Sequence, residues 1–267
     1  MIALRSVSRR ALPQGETGFP FDLPIVRSLE TLEFSSPVTF FVGENGSGKS
    51  TLLETLACAV GSITVGSESV KTDPTLEDLR RLSMYLRLSW SKRTHKGFFL
   101  RAEDFFGYAR SLSRLRAGLQ DDLKAVDEEY KDRSAYAADL ARSAYTGQLG
   151  ALERRYGDGL ETASHGESFL ALFQARFVPG GLYLLDEPEA PLSPIRQLTF
   201  LSMLKGMVAQ EAQFLIATHS PILLAFPGAT ILSFDGARIH PMDYNSLEHV
   251  NVTRDFLNHP DAYLQHL

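Results

Sequence analysis

The sequence predicts an α/β fold whose core is a mainly parallel β-sheet, accompanied by an antiparallel β part and a helical insert. Three observations lead to this prediction. Short, continuously apolar segments alternate with helical segments along the chain. A glycine-rich loop separates an early strand from a helix, and leucines recur at helical spacing after residue 102. We expect one domain over residues 1–267, with the insert at about 102–160.

The composition excludes several classes of protein. Apolar residues make up 44% of the 267 residues and charged residues 22%, which excludes a disordered, collagen-like or coiled-coil chain. The formal charge of −5 excludes nucleic-acid binding through overall charge, although a local basic patch stays compatible with it. Cys58 is the one cysteine, which excludes an intrachain disulfide. The sequence contains neither a membrane-length apolar run nor a signal-peptide pattern, so we expect a cytoplasmic protein.

The predicted elements follow in chain order. Strands are expected near Leu4 and at 37–42, 84–90, 97–101, 181–185, 213–217 and 230–234. The segments 84–90 and 97–101 flank a polar turn, which predicts a hairpin there, and Asp235-Gly236 predicts a second, tight hairpin turn. Helices are expected at 51–60, in the insert and after Ser193-Pro194. Their predicted apolar faces are Leu112, Leu115, Leu119, Leu123, Val126 and Tyr130 in the insert, and Leu198, Leu201, Leu204 and Val208 after Pro194.

The glycine-rich loop at 43–50 has the pattern G-x-x-x-x-G-K-S. Glycines let backbone N–H groups turn toward a phosphate, and the positive end of the following helix points at the anion. We expect Lys49 to reach the β- and γ-phosphates of ATP, Ser50 to bind Mg²⁺ through its hydroxyl and Thr51 to contact the α-phosphate. The predicted cofactor-binding loop is completed by Gly43, Glu44, Asn45, Gly46, Ser47 and Gly48.

Two adjacent carboxylates, Asp186 and Glu187, follow the apolar run at 182–185. Ligands of parallel sheets bind at the carboxyl ends of the strands, where these two side chains are expected. Neighbouring residues of a strand point to opposite faces, so the two acids must differ in role. We expect Asp186 to hold Mg²⁺ and Glu187 to act on the attacking water.

Two further segments complete the candidate site. His219 directly follows the apolar strand 213–217, where it is expected to hydrogen-bond the γ-phosphate and orient water. Ser164 and Gly166 open an apolar helix, and a serine hydroxyl with glycine amides at a helix N-terminus suits phosphate oxygens. The predicted catalytic residues are therefore Lys49, Glu187 and His219.

The order of these motifs over residues 37–235 resembles that of the ABC-type ATPases. The resemblance implies that 43–50 is the Walker A motif, that Asp186 and Glu187 are the Walker B pair and that His219 is the switch histidine. It assigns Ser164 and Gly166 to the signature motif, which in that family closes on the ATP of another subunit. A homodimer that encloses ATP and Mg²⁺ is therefore implied.

The chain is more similar to the stand-alone ATPases of the SMC, RecF and OLD type, and to small bacterial ATPases predicted from sequence, than to transporter subunits. Transporter subunits more often place an aspartate after the switch histidine, where this chain has Ser220-Pro221. The chain also departs from the family. No glutamine follows 97–101, and Arg101 and Glu103 are both candidates for its place. Phe19 and Phe21 are candidates for stacking on adenine, with core packing as the alternative.

Three functions are compatible with these motifs. The first is a Mg²⁺-dependent ATPase whose dimer closure acts on a partner, such as nucleic acid in genome maintenance or phage defence. The second is the nucleotide-binding subunit of a membrane transporter, and the third is a non-hydrolysing, ATP-gated scaffold. Ser220-Pro221 argues against the second, and the intact Glu187 argues against the third.

A basic segment at 80–101 bears on the partner, because it contains no Asp or Glu and has a local charge of +7. Its cations are Arg80, Arg81, Arg87, Lys92, Arg93, Lys96 and Arg101, and they are interleaved with Tyr85, Trp90 and Phe98. Three interpretations stay open: a solvated hairpin that keeps an edge strand soluble, a surface for DNA or RNA, and a docking site for an acidic protein.

Overall fold

The computed structural model describes residues 2–12, 15–65, 69–131, 134–156 and 165–265. Its strands are β1 (Leu4–Arg9), β2 (Thr31–Glu33), β3 (Val38–Val42), β4 (Leu86–Trp90), β5 (Gly97–Arg101), β6 (Leu182–Asp186), β7 (Gln213–Ala217), β8 (Thr230–Ser233) and β9 (His240–Pro241). Its helices are α1 (Pro24–Ser28), α2 (Lys49–Val60), α3 (Glu77–Ser83), α4 (Ala102–Glu129), α5 (Ala135–Tyr156), α6 (His165–Arg176), α7 (Pro194–Val208), α8 (Pro221–Leu224), α9 (Glu248–Asn258) and α10 (Pro260–Leu264).

The core is a six-stranded sheet with the strand order β5-β6-β7-β3-β8-β9. All pairs in it are parallel except β8 with β9. Helices cover both faces of such a sheet, so β3, β6 and β7 are buried along their whole length. This confirms the predicted, mainly parallel core sheet. The carboxyl ends of β3, β6 and β7 meet at one edge, which therefore receives the loops at 43–48, 187–193 and 218–220.

The predicted antiparallel part is a three-stranded sheet with the order β2-β1-β4. One buried side chain joins it to the core sheet. The Gln213 amide accepts a hydrogen bond from Leu4 N at 2.8 Å and donates one to Leu4 O at 2.9 Å. Because a buried amide needs partners for both its oxygen and its nitrogen, this pairing fixes β1 against the start of β7.

The predicted hairpin of 84–90 with 97–101 is wrong, because β4 and β5 lie in different sheets. Strand β4 pairs antiparallel with β1, and β5 pairs parallel with β6. Gly97 is the point of crossing: its φ is +108°, and a Cβ atom there would lie 1.9 Å from Leu182 O. The segment 91–96 therefore connects two sheets and is not the tip of a hairpin.

The second predicted hairpin is confirmed, but its turn is longer than two residues. In the antiparallel pair of β8 and β9, Ser233 lies opposite His240, so the loop spans 234–239. The longer loop lets Asp235 turn away from the sheet and accept a hydrogen bond from Glu44 N at 2.8 Å.

Two apolar clusters pack on the core sheet. One face is covered by α2, whose Leu52, Leu53 and Leu56 are buried. The other face is covered by α6 and α7, with Phe173 and Phe200 packed ring against ring at a centroid distance of 4.8 Å. The predicted face of α7 is wrong at Leu198, which is 58% exposed, because the helix turns its Phe200, Leu204 and Met207 side chains to the sheet.

The predicted insert contains α4 and α5, which pack against each other. Helix α4 has 28 residues, or about 42 Å at 1.5 Å per residue. Its Leu119 and Val126 are buried as the predicted stripe requires, but Leu115 is 51% exposed. The predicted end of the insert, about residue 160, lies outside the described residues, and the single-domain organisation stays a prediction. Among the described helices, none is long and apolar enough to cross a membrane.

Candidate functional site

The loop between β3 and α2 forms a glycine-lined cradle at the carboxyl edge of the sheet. Gly43 and Gly48 have φ angles of +146° and +96°, which side chains with a Cβ atom rarely adopt. A Cβ atom at Gly48 would lie 2.6 Å from Ile25 Cδ1, and one at Gly43 would lie 2.9 Å from Ser47 Oγ. Residues 44–46 are exposed at the tip, and Thr51 lies half-buried in the first turn of α2. The positive φ angles and the close neighbours of Gly43 and Gly48 therefore explain why this loop needs glycines.

Lys49 begins α2 and is buried beneath this loop, with 5% of its surface exposed. Its Nζ donates hydrogen bonds to Gly43 O at 2.6 Å and Glu44 O at 2.9 Å. Burial lowers the pKa of the ammonium, whereas Glu187 and Asp186 raise it. The ammonium is thus held against the carbonyls of the loop, and nearby carboxylates favour its charged form.

Ser50 and Asp186 meet across the interface between α2 and the end of β6. The Ser50 hydroxyl donates to Asp186 Oδ1 at 3.1 Å. Burial raises the pKa of Asp186 to about 7, and the Ser50 hydrogen bond opposes part of that shift. A hydroxyl and a carboxylate oxygen are hard donors that suit Mg²⁺, which brings most of its remaining ligands as water and phosphate oxygens. These two residues therefore fit the predicted metal site.

Glu187 and His219 lie at the ends of neighbouring strands. Glu187 is exposed and has a φ of +49°, and its N–H donates to Ala217 O at 2.9 Å. His219 Nε2 is buried without a hydrogen-bond partner among the described residues. Burial lowers the pKa of His219, as does the charge of Lys49, while Glu187 raises it. The neutral imidazole is thereby favoured near Lys49 and Glu187.

Of the two predicted signature residues, Ser164 and Gly166, the structure describes only Gly166. Ser164 lies outside the described residues. Gly166 lies in the first turn of α6, and a Cβ atom there would lie 2.9 Å from Pro191 O and 2.7 Å from Arg196 Cδ. Only glycine lets α6 approach the loop 187–193 this closely. Arg196 also forms an ion pair with Glu167 at 2.9 Å.

The candidates left open by the sequence occupy different environments. Arg101 is 9% exposed and forms an ion pair with Glu54 of α2 at 2.6 Å, while Glu103 is exposed. Phe21 is 1% exposed and packs edge-on against Tyr85, so it is a core residue. Phe19 is 58% exposed and remains the candidate for stacking on adenine.

Three residues around the site carry no recognisable motif. Glu189 Oε1 accepts a hydrogen bond from His219 N at 2.8 Å. Asp235 holds the loop tip through Glu44 N. His249 of α9 has a buried Nε2 without a partner in the described part of the chain, and its pKa is lowered by burial and raised by Asp235. Of these three residues, the sequence could have indicated only Glu189, because it is a second glutamate in the run Asp186–Glu189.

The basic segment is divided between structural and exposed cations. Arg80 donates to Val70 O and Asp73 O, Arg81 pairs with Glu16 at 2.7 Å, and Arg101 pairs with Glu54. Phe98 is 3% exposed and stacks in the core, so it cannot face a ligand. The exposed cations are Arg87, Lys92, Arg93 and Lys96.

Three of these cations lie in 91–96, which closes one side of a cleft of about 530 Å³. The segment is held at both ends and in its middle: Ser91 N donates to Ala3 O, Thr94 Oγ1 to Gly180 O, and Leu182 N to Lys96 O. It precedes β5, whereas the glycine loop follows β3. The cleft therefore lies at the amino edge of the parallel strands, opposite the candidate nucleotide site.

The site as described fits a nucleoside triphosphate with Mg²⁺. Ser47 Oγ and His219 Nε2 are buried polar atoms without partners among the described residues, and both lie beside the cradle. Buried polar atoms in native proteins are nearly always paired, so unpaired ones at a cleft indicate a missing ligand. The lysine ammonium, the helix N-terminus and the Ser50–Asp186 pair supply the charge and oxygen ligands that such a ligand needs.

Known proteins resemble this chain in part of its sequence and in its fold. Residues 23–138 match a family described as AAA domain. The sequence matches no protein of curated function. It is similar in structure to cbiO1 of Clostridium perfringens, part of the ABC transporter complex cbiONQ, with 14% identity, a TM-score of 0.50 and 100% of both chains covered.

Two further solved structures have lower scores. An Smc head domain of Pyrococcus furiosus, with an extended coiled coil and bound to the C-terminal domain of ScpA, has 12% identity and a TM-score of 0.48, covering 96% of this chain and 100% of that one. The dimeric ATP-binding cassette MJ0796 bound to ADP and Pi has 16% identity and a TM-score of 0.43, covering 92% and 100%. The likeness to cbiO1, which extends over the whole of both chains, indicates a common fold.

Proposed function

We propose, from the premise that the chain has the P-loop fold of the ABC-type ATPases, that it hydrolyses ATP with Mg²⁺ as an ATP-bound homodimer. The observation that carries the proposal is the convergence of Lys49, the Ser50–Asp186 pair, Glu187 and His219 at one edge of the sheet. Their donors, charges and orphaned atoms match a triphosphate and a water molecule.

Each residue has a distinct part in this mechanism. Lys49 and the loop amides bind the β- and γ-phosphates. Ser50 and Asp186 would hold Mg²⁺, which would supply positive charge against the phosphate oxygens. Water attacks the γ-phosphorus, the bond to the bridging oxygen breaks, and ADP and phosphate leave. Glu187 accepts the proton of the water, and the neutral His219 ring hydrogen-bonds the γ-phosphate.

The packing of Gly166 supports the proposed dimer. Gly166 places the start of α6 against Pro191 and Arg196, so the start of α6 and the loop after the carboxylates form one surface. Two large apolar side chains stand on the same part of α7, with Ile195 78% and Leu198 58% exposed. Exposed apolar groups clustered beside a polar site indicate a surface that another chain covers.

Replacing Glu187 by Gln tests both the base and the dimer. Gln keeps the shape but cannot accept the proton, so we expect turnover to fall about a hundredfold or more. ATP binding should survive, and the ATP-bound dimer should accumulate in size-exclusion chromatography with Mg²⁺-ATP. Glu128→Gln, an exposed position on α4, is the matched control. A Glu187→Gln variant that stays monomeric and hydrolyses ATP at the wild-type rate would contradict the proposal.

For the partner, we infer that the exposed cations of 91–96 bind nucleic acid. The supporting observation is that Lys92, Arg93 and Lys96 stand together on a segment anchored at both ends, beside a cleft. A fixed row of cations binds phosphates at low entropic cost, and the released counterions make such binding fall steeply with salt. If the chain were a transporter subunit, its partner would be a membrane protein instead. If it were a non-hydrolysing scaffold, the purified protein would show no ATP turnover.

A triple Ala variant at Lys92, Arg93 and Lys96 tests this inference. The affinity of the variant for labelled single- and double-stranded oligonucleotides, measured by fluorescence anisotropy, should fall. The slope of log K against log salt should flatten by up to about three units. ATP binding should be unchanged, because the segment lies at the opposite edge of the sheet. A control variant removes the same charge from exposed Lys71, Lys124 and Lys205. Absence of binding by the wild type at low salt, with and without ATP, would refute a nucleic-acid partner.

We further propose that the protein works in the cytoplasm. A single cysteine favours a reducing compartment. Burial raises the pKa of Cys58 to about 11, so its thiol stays protonated and unreactive at neutral pH. Fractionation of native cells would check this proposal.

A further inference from the structure

Glu189 is a carboxylate in the candidate site to which the sequence motifs assign no role. Its Oε1 accepts a hydrogen bond from the backbone N–H of His219 at 2.8 Å. Its Oε2 is buried, with no hydrogen-bond partner in the described part of the chain. The carboxylate thus links the loop after β6 to the loop after β7.

A tight backbone turn after β6 directs Glu189 toward the loop after β7. Immediately after β6, the φ of +49° at Glu187 turns the chain, and Glu187 N donates to Ala217 O at 2.9 Å. The turn is closed by Ala190 N, which donates to Glu187 O at 3.1 Å, and by Leu192 N, which donates to Glu189 O at 2.8 Å. Glu189 is therefore directed back across the sheet edge, toward the residues that follow β7.

Packing alone does not explain why a glutamate occupies this position. Burial raises the pKa of Glu189, so the site disfavours the charged form, although the neighbouring Thr218 side chain and the His219 N–H lower that pKa. An uncharged side chain would avoid the cost of burying a carboxylate. What the side chain supplies is an acceptor oxygen that fixes the His219 backbone relative to the turn bearing Glu187.

We propose that Glu189 is a positioning residue that holds His219 in register with Glu187, so that the γ-phosphate and the attacking water are engaged together. The proposal rests on the proposed ATPase function. Beyond His219, the chain enters α8, capped by the Ser220 hydroxyl, which accepts from Ile222 N and Leu223 N. With Glu189 on one side and this cap on the other, the histidine backbone is restrained at both ends.

Double-mutant analysis with His219 separates positioning from a general contribution to folding. The variants are Glu189→Ala, Glu189→Gln, His219→Ala and the pair Glu189→Ala/His219→Ala. We expect Glu189→Ala to lower kcat about 10- to 100-fold, the cost of a small misplacement. Affinity for a non-hydrolysable ATP analogue should change less than about threefold, because the cradle is untouched. Glu189→Gln keeps an acceptor oxygen at Oε1 and should retain most of kcat.

The pair should be no slower than His219→Ala alone within about threefold, because residues that act through one another are not additive. Multiplied losses in the pair, or a Gln variant as slow as Ala, would overturn the proposal. Glu128→Ala, exposed on α4 and far along the chain from every motif, is the control for loss of a carboxylate.

A second readout keeps this proposal separate from the ATPase proposal. In NMR spectra of the histidine rings, the His219 signal is assigned from the His219→Ala variant. Glu189→Ala should shift it and Glu189→Gln should not, whether or not the wild type hydrolyses ATP. If the His219 signal does not move in Glu189→Ala, the positioning role is refuted. If the signal does move but the wild type shows no ATP turnover, only the ATPase proposal is refuted.

Discussion

Asp186 is expected to make the stability of the nucleotide-free protein depend on pH. Its usual pKa is 3.8, and burial raises that pKa to about 7 in the folded state. The folded chain therefore holds a proton that the unfolded chain has released, and between about pH 4 and pH 7 the stability from this group falls as pH rises. Above that range, the folded protein must keep a buried charge that the Ser50 hydrogen bond only partly offsets.

We predict that Asp186→Asn raises the free energy of unfolding of the metal- and nucleotide-free protein at pH 8, by on the order of 1 to 4 kcal/mol. Asn keeps an acceptor for Ser50 and carries no charge. The gain should shrink toward pH 4, where the aspartate is protonated. Urea denaturation in EDTA at both pH values measures it, with exposed Asp121→Asn as the control. A loss of stability at pH 8 would contradict the assigned cause.

How far single residues could be predicted depends on where their partners lie. Lys49 and Ser50 follow from a local pattern of glycines and charge, which needs no tertiary information. Glu189 acts on a residue 30 positions away, and Asp235 holds Glu44 across 191 positions. No local pattern encodes such contacts, because they form only when the ends of separate strands meet at the sheet edge.

At the scale of elements, the crossing between β4 and β5 distinguishes what local pattern can and cannot predict. The sequence predicts both strands, but it wrongly pairs them as a hairpin. Strand β5 pairs with β6, which lies more than 80 residues later in the chain. A signal did exist. Buried and more exposed positions alternate in β4, as in a strand with one solvated face, whereas four consecutive residues of β5 are buried, as in a parallel strand covered on both faces.

We predict that Gly97→Ala destabilises the protein by about 3 kcal/mol, since it combines a strained positive φ with a clash against a neighbouring strand. The new Cβ atom would lie 1.9 Å from Leu182 O, on the backbone of β6, which cannot move without breaking the sheet. Gly118→Ala is the matched control, because it lies inside α4 with open space around it. There we expect a gain of up to about 1 kcal/mol from helix propensity. Thermal denaturation of both variants checks the pair, and equal melting temperatures would contradict the proposed crossing.

At the scale of the whole molecule, one chain offers a candidate nucleotide cradle and, on α7, two large exposed apolar side chains. Ile195 and Leu198 are too exposed to contribute to the core of their own chain. The order of motifs predicts the glycine-rich loop and, through the resemblance, a dimer. The exposed apolar pair was not predicted, because the sequence placed Leu198 on the buried face of the helix. Its exposure depends on α7 turning Phe200 and Leu204 toward the sheet.

A mixing experiment tests whether the signature segment acts on the site of a second copy. Ser164→Arg places a bulky cation in the signature segment, and Lys49→Ala removes the phosphate-binding ammonium, so each variant alone should be inactive. In a heterodimer of the two, one site combines an intact Lys49 with the other chain's intact Ser164. Random mixing should then restore about a quarter of wild-type turnover, since half the dimers carry one good site out of two.

The matched control mixes Lys49→Ala with the Ser164→Arg/Lys49→Ala double variant, in which no intact site can form although dimers of every kind can. Turnover in the first mixture and none in the second would establish action between copies. Separately tagged chains and pull-down confirm that heterodimers are present. Dead mixtures that contain proven heterodimers would show that the two sites do not work independently. Full activity of Ser164→Arg alone would remove the signature segment from the mechanism.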